Sequence, residues 1–350
     1  MTTSDLHALG WDDTRAQWLS AFGRARALPG RIARLETAVV TLWCEDGPVE
    51  AQLPARLKAP EDRPAVGDWV AYLPGPPKAK VLEIMPRRTL FERRAAGRKT
   101  QRQVVAANVD RVFVVSGLDG DFNPRRLERY LAAVSHSGAS PIVLLTKAAV
   151  HAGAAEAESS ARAVSGQAPV HLIDVVDGVN ASICDEYLAP GVTAALVGSS
   201  GVGKSTLLNH WAGERRQEVR AVREKDGRGQ HTTTHRELFF LRNGALVIDT
   251  PGMRELALWA DASALDGAFA DIETLAAGCR FNDCRHDAEP GCAVTEALAA
   301  GTLDPARFES YKALRAEVEE TAAEVAAQRR RSNARMSRIS RRSGSRSGRR

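Results

Sequence analysis

One eight-residue stretch restricts the possible folds of this chain more than any other. Gly198-Ser199-Ser200-Gly201-Val202-Gly203-Lys204-Ser205 matches GxxxxGK[ST] at every defined position. An apolar run, TAALVG (193–198), precedes it, and LLNHWAG, with a helical pattern, follows. A strand passing through a glycine-rich loop into a helix aims successive backbone N–H groups at one spot by the helix N-terminus. That arrangement cradles a phosphate chain. Lys204 is expected to reach the β- and γ-phosphates and Ser205 to ligate Mg²⁺, with Thr206 beside them among the nucleotide-binding residues. A plain Gly/Ser turn is the alternative, which the flanking elements disfavour.

The surrounding sequence supplies the rest of such a fold. RVFVVSGL (111–118), PIVLLTK (141–147), PVHLID (169–174), TAALVG and ALVIDT (245–250) read as buried strands. Helical patterns stand between them, one opened by Pro124 and one built on AAEAESSARAV. Alternating strands and helices predict a mostly parallel sheet with helices on both faces. The first ~90 residues differ. RIARLETAVVTLW, VEAQLPARL, VGDWVAYLP and AKVLEIMP are short strand patterns broken by EDG and PGPP, as expected of a small OB-type barrel. Trp43, Trp69 and Tyr72 could stack on nucleic-acid bases there, but in a small barrel aromatic residues belong first to the core.

Two further motifs flank the phosphate loop. Downstream, the strand ALVIDT runs into Asp249-Thr250-Pro251-Gly252. An Asp at a strand's C-terminal end suits the Mg²⁺-side carboxylate, and Gly252 lets its N–H approach a γ-phosphate. Between them, GRGQHTTTHRE (227–237) offers Thr232, Thr233 and Thr234 as switch hydroxyls to complete the metal shell. Upstream, Thr146-Lys147 ends a strand as a base-reading [NT]Kx motif would. The order is TK, phosphate loop, Thr loop, DTPG, which is the order of a P-loop GTPase cut at another point of the same circle. This resembles a circularly permuted GTPase, in which γ-phosphate loss at Gly252 would be felt directly in the C-terminal region.

With PRRTLFERR (86–94), VAANVDRVFVVSGLDGDFNPRRLERYL (105–131), GRGQHTTTHREL and DTPGMRE also present, residues 30 to 315 resemble the RsgA (YjeQ) family of ribosome-small-subunit-dependent GTPases. The resemblance implies a multidomain α/β protein: an N-terminal OB-type β-barrel, a circularly permuted P-loop GTPase domain and a C-terminal helical zinc-binding domain. It also implies GTP hydrolysis, stimulated by the small ribosomal subunit and its rRNA during late maturation of that subunit. The expected boundaries are 1–95 for the barrel, 96–258 for the GTPase domain, 259–328 for the zinc domain and 329–350 for a basic tail. A monomer in the cytoplasm is expected. The polar, acidic N-terminus is no signal peptide, and no apolar run nears the ~20 residues that span a bilayer.

The family pattern fails at the base. Ala149 stands where an Asp should accept guanine N1–H and N2–H, a pair of charge-assisted hydrogen bonds worth ~1.5–3 kcal/mol each. Asp174-Val175 replaces the second base loop's Ser-Ala, although Val175 keeps the backbone N–H. Either guanine is still chosen through shape and the alkyl stem of Lys147, or selectivity over ATP is relaxed; Asp174 or Asp177 could substitute for the missing acid. Met253 occupies the place of the usual water-orienting Gln and cannot do its work. His231 is the nearest alternative, so slow intrinsic turnover is expected.

Three of the five Cys lie within 14 residues, in CRFNDCRHDAEPGC. Cys279, Cys284, His286 and Cys292 form a Cys₃His set, the closed structural Zn²⁺ type. Free thiols are the alternative. Basic residues are also clustered. From Arg87 to Arg102, seven of sixteen residues are basic, either an RNA-backbone contact or a solvated linker. Residues 329–350 hold ten Arg and no acid, and without them the formal charge of +5 becomes −5. Such a tail suits a phosphate-rich partner, or serves solubility alone. A competing reading is an RNA-binding assembly factor with a weak or base-unselective nucleotide site. The complete Lys204, Ser205, Thr and Asp249 set favours the enzyme.

Overall fold

The computed structural model describes residues 5–36, 38–58, 63–94, 102–119, 122–174, 181–199, 201–213, 237–249, 269–281, 284–287, 289–309, 311–312 and 315–316. They fall into two compact units, one within Met1–Arg93 and Gln103–Ala257, the other within Arg94–Arg102 and Leu258–Arg350. No helix among the described residues is long and apolar enough to cross a membrane.

The first unit begins with helix α1 (Asp13–Phe22), capped by the Asp12 side chain and stopped at Gly23 in the left-handed conformation. Five strands follow: β1 (Leu28–Leu35), β2 (Val39–Cys44), β3 (Gly47–Gln52), β4 (Trp69–Leu73) and β5 (Ala79–Ile84). Their order is β1-β2-β3-β5-β4, and β4 pairs back onto β1 to close a barrel. Only β3 and β5 run parallel. Strand β2 shows why the barrel fills itself: Val40, Leu42 and Cys44 alternate inward and meet Ile32, Val70, Tyr72 and Val81. A bulge between Ile32 and Arg34 bends β1, which must pair on both sides. Trp69 and Tyr72 are core residues, at 1% and 4% exposure.

A two-stranded sheet of β6 (Leu90–Arg94) and β7 (Arg102–Ala107) leads into the second half of the unit. There β8 (Arg111–Gly117), β9 (Ser140–Thr146), β10 (Val170–Ile173), β11 (Thr193–Val197), β12 (Glu237–Phe240) and β13 (Leu246–Asp249) lie in the order β10-β9-β8-β11-β13-β12. The first five of that order are parallel, and β12 runs antiparallel to β13. Residues of β8 alternate between two apolar layers. Val112 and Val114 join Leu127, Leu131 and Val134 of α2 (Pro124–Ser137). Phe113 and Val115 join Leu207, Leu208 and Trp211 of α4 (Lys204–Ala212). A strand covered on both faces is apolar at nearly every position, as RVFVVSG is. Helix α3 (Ala154–Ser165) completes the expected βα alternation.

Barrel and parallel sheet are hydrogen-bonded into one sheet of eleven strands, because β12 also pairs with β1 at Arg34↔Glu237. Arg34 Nη2 lies 2.9 Å from Glu237 Oε1, and the rings of Trp43 and Phe240 stack at 5.0 Å. Beside this seam the buried Arg31 guanidinium donates to the carbonyl of Leu9 and to those of Gly67 and Asn108 at 3.3 and 3.1 Å. Burial lowers its pKa to about 9.

The second unit holds α5 (Ala270–Ala276) and α6 (Ala293–Ala299). Phe269, Phe308 and Tyr311 pack edge to face and stacked, and Arg307 clamps Asp271 with two 2.6 Å hydrogen bonds.

Candidate functional site

The phosphate loop leaves the C-terminal end of β11 and enters α4, with β8 and β9 on one side and β13 on the other. In an open parallel sheet this is the edge at which ligands bind. Glycines do specific work here. Gly198 has φ 140° and packs so tightly that a Cβ would lie 2.1 Å from the Val115 carbonyl oxygen. Gly203, with φ 95°, turns the chain into the first residue of α4, Lys204. The Lys204 ammonium donates to the carbonyls of Gly198, at 2.6 Å, and of Ser199. Gly201 is also left-handed, Val202 is buried as the loop's apolar anchor, and Ser205 and Thr206 are exposed in the first turn of α4.

The TK motif meets the loop directly. Thr146, the last residue of β9, is buried, and its hydroxyl donates to the Val202 carbonyl at 2.8 Å. Lys147 adopts φ 62°, ψ 32°, a left-handed conformation that is costly for a residue with a Cβ, and its ammonium pairs with Asp119. The Lys147 hydrogen bond is the main cause holding the Asp119 carboxyl below its ordinary range. Asp119 carries little signal in the sequence, an acid followed by Gly120 just past a buried strand. Ala149 is exposed in the turn after Lys147. Asp174 is buried beyond β10 and already has a partner. Asp249 closes β13. Ser200, Asp177, His231, Thr232, Thr233, Thr234 and Gly252 lie outside the described residues.

In the second unit Cys279, Cys284, His286 and Cys292 converge, with their ligand atoms all within 4.8 Å of one another. Cys279 Sγ lies 3.8 Å from Cys292 Sγ and 3.6 Å from His286 Nδ1, which is 3.4 Å from Cys292 Sγ. A tetrahedral Zn²⁺ with bonds of ~2.3 Å to sulfur and ~2.0 Å to nitrogen requires S···S edges of about 3.8 Å and S···N edges of about 3.5 Å. The donor set fits that ion. His286 is left-handed (φ 63°), the backbone adjustment that turns its ring into the cluster. Burial raises the Cys292 thiol, but hydrogen bonds from Thr295 and from His286 and Cys284 outweigh it and bring its pKa to about 6.

Comparison with known proteins gives concordant results. A family model described as RsgA GTPase matches residues 84–259. A protein of Opitutus terrae called "Small ribosomal subunit biogenesis GTPase RsgA" is 45% identical over 327 residues, covering 89% of each chain. One of the same description from Xanthomonas axonopodis pv. citri is 44% identical over 332 residues, covering 92% of this chain and 90% of its own. Among solved structures, YjeQ from Thermotoga maritima aligns with a TM-score of 0.64 at 24% identity, over 83% of this chain and 98% of its own. YloQ, described as a circularly permuted GTPase, aligns at 0.61 and 24% identity, over 85% and 96%. At that identity the two structures speak for the fold, the permuted arrangement read from motif order.

Proposed function

We propose, from the premise that this chain belongs to the RsgA GTPase family and is therefore a GTP-hydrolysing enzyme, that its hydrolysis serves late maturation of the small ribosomal subunit and is stimulated by that subunit. The observation that carries the nucleotide site is the junction of Thr146 with Val202, which ties the base-side strand to the phosphate loop. A loop pinned in this way can hold a nucleotide at both ends.

The residues take the following roles in this reading. Backbone N–H groups of residues 198–203 bind the phosphates, and the Lys204 ammonium exchanges its two loop carbonyls for phosphate oxygens. Ser205, Asp249 and one hydroxyl from among Thr232, Thr233 and Thr234 would hold Mg²⁺, which would supply charge neutralisation to the phosphates. His231 orients the attacking water, and Gly252 donates its N–H to the γ-phosphate. Slow turnover alone follows from Met253, which offers water no hydrogen bond. Cys279, Cys284, His286 and Cys292 hold one structural Zn²⁺ that fixes the loop between α5 and α6. The Arg87–Arg102 strip and the Arg-rich tail supply salt-dependent attraction to rRNA. The protein works as a cytoplasmic monomer that joins the ribosomal particle.

Ala149 supports a second reading, an assembly factor whose pocket no longer selects its base. Phosphate release from GTP and from ATP, each with and without small subunits, separates the two. Stimulation confined to GTP is expected. Equal rates with both nucleotides would favour the unselective pocket, and no stimulation by subunits would refute the coupling.

A further inference from the structure

Strands β8 and β9 pair in parallel register up to Gly117↔Thr146, and Leu118 N–H extends the ladder to the Thr146 carbonyl at 3.0 Å. The next residues on each strand, Asp119 and Lys147, are thereby brought side by side. Gly117 leaves room for this apposition: a Cβ there would lie 2.7 Å from Asp119 Oδ1, and the carboxylate would have to shift. Lys147 is in turn held left-handed, with its ammonium on Asp119 Oδ2. One residue earlier, Thr146 is fixed to the phosphate loop.

A lysine stem is four flexible carbons, and free in solvent it presents no defined surface to a planar base. Tethered at both its backbone and its ammonium, the stem becomes a preset apolar wall, and binding no longer has to order it. We infer that Asp119 is a positioning residue for the nucleotide base, acting through Lys147 rather than reading the base itself. This rests on the nucleotide-site reading above. It also accounts for a TK motif that keeps its lysine while Ala149 has lost the acid. Asp119 lies beside the ammonium end of Lys147, so its contribution is indifferent to which purine edge is presented. The Lys147 hydrogen bond holds the Asp119 carboxyl below its ordinary range, favouring the ionised form that pairs with the ammonium.

The test measures dissociation constants for GDP and IDP, which lacks the guanine 2-amino group, in Asp119→Asn, Asp119→Glu, Lys147→Ala and the double variant D119N/K147A. Melting temperatures are recorded alongside. D119N keeps the size of the side chain, and removing an exposed ion pair of this kind is expected to weaken both nucleotides alike by roughly threefold to fivefold. D119E should recover most of the loss, and D119N should add nothing in the K147A background. Unchanged affinity in D119N would overturn the inference, as would a loss that persists beside K147A. A loss confined to GDP would also overturn it, by making Asp119 a direct reader. Lys204→Ala separates the two levels. If K204A still binds nucleotide as the wild type does, the site reading itself fails; if K204A loses binding and D119N does not, only the role of Asp119 fails.

Discussion

Thr146→Val isolates the hydrogen bond that joins strand β9 to the phosphate loop. Valine has the shape of threonine, so the buried position is refilled and no cavity opens. What disappears is one hydroxyl hydrogen. A hydroxyl has only one to give, and with Val202 O at 2.8 Å and Ser116 O at 3.4 Å, the Val202 carbonyl receives it. Both ends are buried, Thr146 at 4% and Val202 at 1% exposure, so water cannot step in as a replacement donor. Losing a buried hydrogen bond and leaving its acceptor short costs about 1–3 kcal/mol. In a unit of this size each kcal/mol lowers Tm by roughly 2–4 °C. The same anchor presets the loop, so GDP affinity should fall by about tenfold for every 1.4 kcal/mol that nucleotide must spend restoring it. Thermal unfolding and titration with a fluorescent GDP report the two effects separately. Thr146→Ser keeps the hydroxyl and should remain near wild type in both. If T146V binds and melts as the wild type does, the anchor is not made by this bond. If T146S is as damaged as T146V, the methyl group's packing and not the hydroxyl accounts for the loss.

Gly198→Ala should abolish nucleotide binding, because its Cβ would meet the Val115 carbonyl at 2.1 Å and φ 140° is closed to alanine; retained GDP affinity in a titration would refute the tight loop. Cys292→Ser, or treatment with a strong chelator, should take metal content from one zinc per chain to none and expose the remaining cluster thiols to a thiol reagent; a wild type without zinc would refute the Cys₃His site. The Asp271–Arg307 clamp should make the second unit acid-sensitive. Burial raises the Asp271 carboxyl, but the Arg307 hydrogen bonds outweigh it and leave the pKa depressed. Its contribution is therefore fully present above the unfolded carboxylate value of about 3.9 and fades as pH falls through the folded value. Acid unfolding of Asp271→Asn should differ from wild type at neutral pH and converge with it below that point; a gap independent of pH would refute the assignment.

The residues explain which of these features a sequence could disclose. Gly198, Gly203 and Lys204 were legible because their conformations are demanded locally, and a strand and a helix on either side are written in apolar runs. The barrel strands were legible through alternation such as Val40, Leu42 and Cys44, and the Cys₃His set through the scarcity of cysteine elsewhere. Helix α1 carried its signals too, an Asp12 cap and a Gly23 stop, but its apolar residues form a weak stripe and it went unread. Asp119 was hidden for a different reason: its partner lies 28 residues away and is found only once β8 and β9 are in register.

Strand β12 illustrates the limit most sharply. ELFF is four residues long, too short for either period to declare itself, and Glu237 is the kind of residue that usually marks a surface. Yet its two edges are both used, by β13 on one side and by barrel strand β1 on the other. The texture of the sequence changes near residue 104, from short alternating strands to strands alternating with helices. The hydrogen bonds ignore that change, because strand pairing joins residues 203 positions apart at Arg34 and Glu237. Asp249, at the end of β13, is thus two strand pairings from the barrel, a connection carried by backbone geometry that composition does not encode.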